Sequence, residues 1–338
     1  MRLIKFTVLA ALLSCSLFSV KSTFAAAPLQ KINFAHATLS ARLAPLWLAQ
    51  EQGIFAKHGI GAEVILVRSG AALIAAIMSG DIHMGSVGAG AALGAAASGA
   101  EISIVANFAS RASVELVARP GIKSAEDLKG KRFGIQSFGG TLWLYTLMVL
   151  EHLGLEPNRD KIQLQVVGDV SVLARALESG TIDAATLSSA AYSRPLSEKG
   201  FPIFANLKLP IAGQTIIVRK ALARQSPELI DGLVRAQIEA VAFAVAPRNK
   251  AVVVETMKRR LRISNPAALE ESYLDMMSEV DRKPYPSTEG LVNIVRFMRT
   301  VSPKLADLKI DEVADRSWVR RLDESGIIDR VYAAQGVK

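Results

Sequence analysis

The sequence predicts an α/β protein of two similar lobes, each a mostly parallel sheet flanked by helices. One observation is an internal repeat: Val67, Leu73, Ala76, Ser79, Gly80 and Ile82 recur one hundred residues later as Val167, Leu173, Ala176, Ser179, Gly180 and Ile182. That period exceeds the roughly 20–50 residues of solenoid units, so it marks two domain-sized halves. A second is the alternation of strand-like and helix-like segments through both halves, the pattern of βαβ units and parallel pairing. A third is that the loops after the strands are rich in Ser, Thr and Gly. Two such lobes ordinarily hold a ligand between them.

The chain has 338 residues, half of them apolar and 21% charged, which suits two domains with cores of their own. Its first segment reads as an export leader. Arg2 and Lys5 precede the apolar stretch 6–20, and Ser22-Thr23-Phe24-Ala25 offers small residues for cleavage after Ala25. That stretch falls short of the roughly 20 residues a membrane span needs. Cys15, the only cysteine, lies inside it; Leu12-Leu13-Ser14-Cys15 loosely resembles a lipid-attachment box, but the apolar run continues past it. The processed chain therefore has no thiol for a disulfide, a nucleophile or a metal site, which suits a periplasm-like destination and a large core. Loss of Arg2, Lys5 and Lys21 leaves 37 basic against 31 acidic residues, a net charge near +6. The basic run 258–262 carries apolar residues at helical spacing and reads as a solvated helix face, not a nucleic-acid track.

Along the chain, 31–35 reads as a strand, 43–57 as a helix closed by Gly59, and 63–67 as a strand. A helix at 71–78, a strand at 82–87, an alanine-rich helix to Ser98 and a strand at 101–106 complete the first set. The second set has strands at 131–135, 162–167 and 182–187, with helices at 141–152 and around Leu173, followed by strands at 201–206 and 215–218. Ser226-Pro227-Glu228 then opens a helix with the apolar stripe Leu233, Val234, Ile238, Val241 and Val245. Asn265-Pro266 and Ser287-Thr288-Glu289 open two more. The expected division is a leader at 1–25, a first lobe at 28–115 and 216–338 that includes the C-terminal helices, and a second lobe at 116–215. A strand pair near 114–119 and 213–219 is expected to link the lobes, with the helical tail packing back on the first.

Ligands of open parallel sheets bind beyond the carboxyl ends of the strands. The loops placed there carry Thr38, Ser40 and Arg42; Ser69 and Gly70; Gly88; Ser137, Gly139, Gly140 and Thr141; and Ser188 and Ser189. These are the expected ligand-binding residues. Their small side chains expose backbone N–H groups at helix N-termini, where the helix dipole favours an anion. The 137–141 loop is the best cradle for such an anion; a tight turn needing glycine, with Thr141 as a cap, explains it equally well. Arg42 stands where a helix dipole disfavours a cation, so a bound anion would relieve it. Arg111 is a weaker candidate, Asp169 reads as a helix cap, and Phe138 and Tyr192 could stack on a flat ligand.

Catalytic signals are weak. His36, His58, His83 and His152 lack metal-type spacing, and no nucleophile elbow or phosphate loop occurs. Gly88-Ala89-Gly90 with Gly94 resembles a dinucleotide turn, but the following strand ends Val105-Ala106-Asn107 without the acid that would hold a ribose. These glycines read instead as close helix–sheet packing. No catalytic residue, cofactor or metal is expected.

Several segments resemble exported solute-binding proteins of the nitrate, sulfonate, taurine and thiamine-precursor type. They are Pro45, Glu51-Gln52-Gly53-Ile54-Phe55 with His58-Gly59-Ile60, Ser79-Gly80-Asp81-Ile82, Ile122 to Lys131, Leu153-Gly154-Leu155 and Ser179-Gly180-Thr181-Ile182-Asp183-Ala184. The resemblance implies a type II periplasmic binding fold, two α/β lobes joined by two crossover segments, and a monomer that closes on a small-molecule ligand and delivers it to the membrane permease of an ABC importer. It also implies two alternatives: a periplasmic sensor presenting its ligand to a membrane receptor, and an enzyme of pyrimidine or thiamine-precursor type. The pyrimidine synthases on this fold carry a cysteine-rich motif that the processed chain lacks. The ligand read from the loops is a small anion-bearing organic solute. They offer one acid, so a solute whose ammonium needs a carboxylate is disfavoured.

Overall fold

The structure, a computed structural model, describes residues 28–67 and 69–337. The expected leader with Cys15, and Arg68, lie outside the described residues. The first half runs β1 (Gln30–His36), α1 (Ala44–Glu51), α2 (Ile54–Lys57), β2 (Ile60–Leu66), α3 (Gly70–Ser79), β3 (Met84–Val87), α4 (Ala89–Ala97) and β4 (Ile102–Asn107). The second runs β5 (Arg111–Ala118), β6 (Arg132–Ile135), α5 (Thr141–His152), β7 (Gln163–Val166), α6 (Val170–Ser179), β8 (Ala184–Leu187), α7 (Ala190–Glu198) and β9 (Ile203–Pro210). The chain returns through β10 (Thr215–Arg219) to a helical tail: α8 (Lys220–Gln225), α9 (Pro227–Val245), α10 (Lys250–Leu261), α11 (Pro266–Glu279), α12 (Thr288–Met298), α13 (Ser317–Glu324) and α14 (Ile327–Ala334).

The repeat is a repeat of topology. One sheet has the order β2-β1-β3-β10-β4 and the other β7-β6-β8-β5-β9, so each half orders its own strands 2-1-3-x-4. The fourth position is an antiparallel strand delivered by a crossover: β10 pairs with β3 and β4, and β5 with β8 and β9. The expected linking pair is therefore displaced. Residues near 114–119 and 213–219 are taken up into separate sheets, because each sheet leaves backbone groups there for a strand to satisfy. The lobes are joined instead where Phe108 N donates to Gln214 O (2.8 Å), Ile211 N to Ser110 O (2.9 Å) and Gly213 N to Ala109 O (2.9 Å). The change of sheet thus precedes β5 at Arg111, a few residues before the expected limit at 115.

The expected helix at 43–57 is broken. Gly53 takes φ +67°, which few side chains tolerate, and separates α1 from α2. Residues 41–43 form a 3-10 turn ahead of it. The tail also departs from expectation. The stripe residues Leu233, Val234, Ile238 and Val241 of α9 are buried, and α9 packs on α1 and α2 of the first lobe. However, α11 packs on α7 and β5 of the second lobe, and α12 lies against both α4 and α5. The basic run lies in α10, where Arg259 and Arg260 pair with Glu51 at 2.5 Å and 2.7 Å. No helix among the described residues is long and apolar enough to cross a membrane.

The repeated leucines show what the repeat packs. Leu73 and Leu173 are fully buried, each against a glycine of a central strand. A Cβ on Gly85 would lie 2.4 Å from Leu73 Cδ2 and 2.7 Å from Ile77 Cδ1; one on Gly134 would lie 2.4 Å from Ile182 Cδ1 and 2.6 Å from Leu173 Cδ2. Overpacking of this kind costs about 1–3 kcal/mol. Gly85→Ala and Gly134→Ala should each lower the midpoint of urea unfolding accordingly, whereas Gly94→Ala, with open space around its Cβ, should not.

Candidate functional site

Four strand-to-helix loops and one crossover converge on a cavity of about 500 Å3 between the lobes. Ala37 and Thr38 follow β1, Ser69 to Ala71 start α3, and Val87 to Ala91 carry β3 into α4. From the second lobe come Gln136 to Thr141 and Leu144, from the crossover Ile211 to Gly213, and from the tail Ile294 and Met298. Among the described residues no charged side chain lines this cavity. A hollow of similar volume, about 510 Å3, lies between α7, β9 and α11; it holds Glu115, Glu198, Glu271 and Asp275 with Arg194, which pairs with Glu271, and it is off the strand ends.

Three helices begin at the cavity, and they differ in how their first N–H groups are satisfied. In α3, Ser69 Oγ accepts from Ala72 N at 3.3 Å. Gly88 and Gly140 occupy the cap positions of α4 and α5 and have no side chain with which to cap. Ala89 N is taken by Ala212 O at 3.0 Å; the cap side chain that would serve the next donors is missing at both helices. The two starts face one another: a Cβ on Gly88 would lie 3.4 Å from Thr141 Oγ1. The cavity is therefore positive through backbone dipoles, without formal charge.

Local chemistry fixes these loops. Gly139 takes φ +74°, and a Cβ on Gly140 would lie 2.5 Å from Ser137 Oγ, so the turn needs both glycines. Gly140 is the cap and Thr141 the first helical residue, which corrects the reading of Thr141 as a cap. On the first lobe, His36 Nδ1 meets Thr38 O at 2.8 Å while Trp47 Nε1 donates to His36 Nε2 at 3.4 Å. Those partners assign the proton to Nδ1. Burial pushes the imidazole pKa down, so the ring is a neutral brace for the Thr38 loop.

Thr38, Ser69, Gly70, Gly88, Ser137, Gly139, Gly140 and Thr141 thus come together at the cavity, with Phe138 beside them, while Ser40, Arg42, Arg111, Asp169, Ser188, Ser189 and Tyr192 are not among its lining residues. Ser188 and Ser189 sit at the β8–α7 junction and are not among the lining residues. Asp169 caps α6, accepting from Ser171 N and Val172 N. Arg111 is exposed at the start of β5. The glycines of the dinucleotide-like turn also do other work: Gly88 meets Thr141, Gly90 meets Met298 and Ile294, and Gly94 meets open space, so helix–sheet packing is not their role.

Arg42 is the main correction. Its Nε lies 3.1 Å from Glu279 Oε2, with side chains only 12% and 5% exposed, and 3.4 Å from Ser40 Oγ. Glu279 Oε1 also accepts from Ser113 N at 2.5 Å. Burial opposes the guanidinium charge, but Glu279, then Tyr145 and Asp275, more than offset it and hold its pKa above the ordinary range. The countercharge expected from a ligand comes from α11, and the pair ties the 41–43 turn to β5. Ser40 belongs to this cluster, not to the lining. Among the lining residues that sequence reasoning missed are Leu144, Ile211 to Gly213, and Ile294 and Met298, the last two from a stripe that reads as ordinary core.

A family model described as NMT1/THI5 like matches residues 40–251. A Brucella abortus protein provisionally named a binding protein is 28% identical over 223 residues, 61% of this chain and 64% of that protein, so less than two thirds of its length is spanned. The taurine-binding periplasmic protein of Escherichia coli is 28% identical over 204 residues, 58% of this chain and 62% of that protein. Among solved structures, the alkanesulfonate-binding protein SsuA from Xanthomonas axonopodis pv. citri, bound to MOPS, matches with a TM-score of 0.66 at 20% identity, covering 86% of this chain and 97% of that one.

Removing one partner of a buried pair strands the other charge at a cost of about 3–5 kcal/mol, whereas replacing both by apolar residues does not. Arg42→Met alone should lower unfolding stability by about that amount, and Arg42→Met with Glu279→Leu should recover most of it in urea titrations.

Proposed function

The chain belongs to the NMT1/THI5-like family and has the two-lobed periplasmic binding protein fold, and from that premise we propose that it is the solute-binding component of an ABC-type importer. It is exported by its leader, acts as a monomer in the periplasm, and presents its loaded form to a membrane permease. The observation that carries the reading is the uncharged cavity between two uncapped helix starts, one from each lobe. A solute that touches both Gly88 and Thr141 gains its full contacts only when the lobes are together. Its differential affinity for that state drives closure about the crossovers.

The lining selects by charge and shape. Backbone N–H groups, Thr38, Ser69, Ser137 and Thr141 suit a compact anionic head such as a sulfonate or carboxylate. Ala71, Val87, Leu144 and Ile211 suit an apolar body. Among the described residues no carboxylate lines the cavity to meet an ammonium, so an amino-sulfonate is a poorer match than a simple sulfonate. Relatives named for binding support a role without turnover.

In a thermal-shift and calorimetric screen of sulfonates, carboxylates, nitrate, taurine and pyrimidines, simple organic anions should stabilise the protein, by about 2.7 kcal/mol at one hundred times Kd. Gly88→Asp supplies α4 with the cap it lacks and puts a carboxylate beside Thr141. It should preserve or raise stability while abolishing anion binding. Undiminished affinity in Gly88→Asp, or release of a chemically altered solute, would reject the reading.

A further inference from the structure

One wall of the cavity comes from α12, which lies beyond the residues 40–251 matched by the family model. Its seat is unusually close. A Cβ on Gly290 would lie 2.3 Å from Ile211 C and 2.5 Å from Ala212 N, so the first turn of α12 rests directly on the returning crossover. Asn293 Nδ2 donates to Pro210 O at 3.1 Å on the same segment. Further along, a Cβ on Gly90 would lie 2.9 Å from Met298 Sδ and 3.7 Å from Ile294 Cγ2, so α12 also rests on the first turn of α4. On its other side Arg296 Nη1 and Nη2 meet Glu151 Oε1 and Oε2 at 2.6 Å and 2.9 Å. The helix is therefore located by the crossover and by both lobes, while Ile294 and Met298, 2% and 8% exposed, face the solute space.

Gly88 caps the helix on whose first turn Met298 rests, and residues 88 and 90 are about 3 Å apart along a helix axis. A solute with its anionic head at the α4 and α5 starts therefore meets the methionine at once along its body. We propose that Met298, backed by Ile294, is the specificity-determining residue of the cleft, setting the length of apolar body that the closed lobes admit. The proposal rests on the anion-binding reading above and adds to it the element that measures the rest of the solute. Methionine suits the role because its unbranched, flexible side chain fills a gap without fixing one shape.

The test is a calorimetric series of linear alkanesulfonates from methane- to octanesulfonate against the wild type, Met298→Ala, Met298→Phe and Met298→Leu. Met298→Ala should move the preference toward longer chains, changing the long-to-short affinity ratio by about fifteenfold for two further buried methylenes at roughly fourfold each. Met298→Phe should move it the other way, and the near-isosteric Met298→Leu should keep the wild-type profile. Equal weakening of every member, or an unchanged profile in Met298→Ala and Met298→Phe, would assign the residue a packing role only and overturn the proposal while leaving anion binding intact. A wild type that binds no member would overturn the anion reading itself, and this proposal with it.

Discussion

Two short extended segments, 108–110 and 211–214, carry the mechanics of this molecule. Each sheet is completed by a strand from the far side of them, so neither lobe has its full set of strands without the crossing. The tail is anchored there as well. Asp281 accepts from Ser110 N at 2.6 Å and Ser110 Oγ at 2.9 Å, its own N–H donates to Phe108 O, and Asn107 N donates to Pro284 O. Burial holds the Asp281 carboxyl above its ordinary pKa despite the opposing Ser110 hydrogen bonds. The carboxyl nonetheless gives Ser110 N–H at the crossover an acceptor, where an unsatisfied backbone N–H would cost about as much as a lost hydrogen bond.

The contacts between the lobes are graded in strength, and the grading says where opening can occur. Arg42 and Glu279 are buried, so separating them would strand charge in a poorly solvated site. Arg296 and Glu151 are 43% and 52% exposed; such a pair contributes about 0–1 kcal/mol and exchanges readily with water. In the proposed opening, motion that preserved the first pair and broke the second would turn the lobes about the crossover and lift α5 from α12. The cavity then opens along the side that α12 closes.

How much of this is legible in the sequence depends on the range of the interactions involved. The doubled motif yields both sheets because the strand-helix-strand unit around Leu73 recurs around Leu173, although the two leucines pack on glycines of non-equivalent strands, Gly85 of β3 and Gly134 of β6. The loops of Gly88 and 137–141 are legible for the same reason, as strand-to-helix turns whose glycines leave helix starts uncapped. Arg42 misleads because its partner lies more than two hundred residues away, and a cation at a helix start looks alike whether an acid or a ligand answers it. Ser188 and Ser189 share the composition of the cleft loops but not their position. The crossovers hide because β5 and β10 read as strands while their sheets are chosen by tertiary pairing. Ile294 and Met298 hide because a helix face toward a cavity has the same period as one toward core.

The absence of charge from the described lining bears on release as much as on capture. An arginine closing on a sulfonate would bind it strongly, yet opening would then have to separate two ions in a half-dry site. Helix starts contribute less, about 0.3–2 kcal/mol each depending on burial, and their dipoles cost no side-chain entropy to orient. Two of them, from opposite lobes, share the anion only while Gly88 and Thr141 are close. As the lobes parted, one dipole would be withdrawn and water would reach the N–H groups that remain, so no charged side chain of the described lining would be left without a partner. In the role proposed above, a carrier that surrenders its solute at a membrane would gain from that arrangement. Affinity then resides in the geometry of closure, and loosening the clamp is enough to let go.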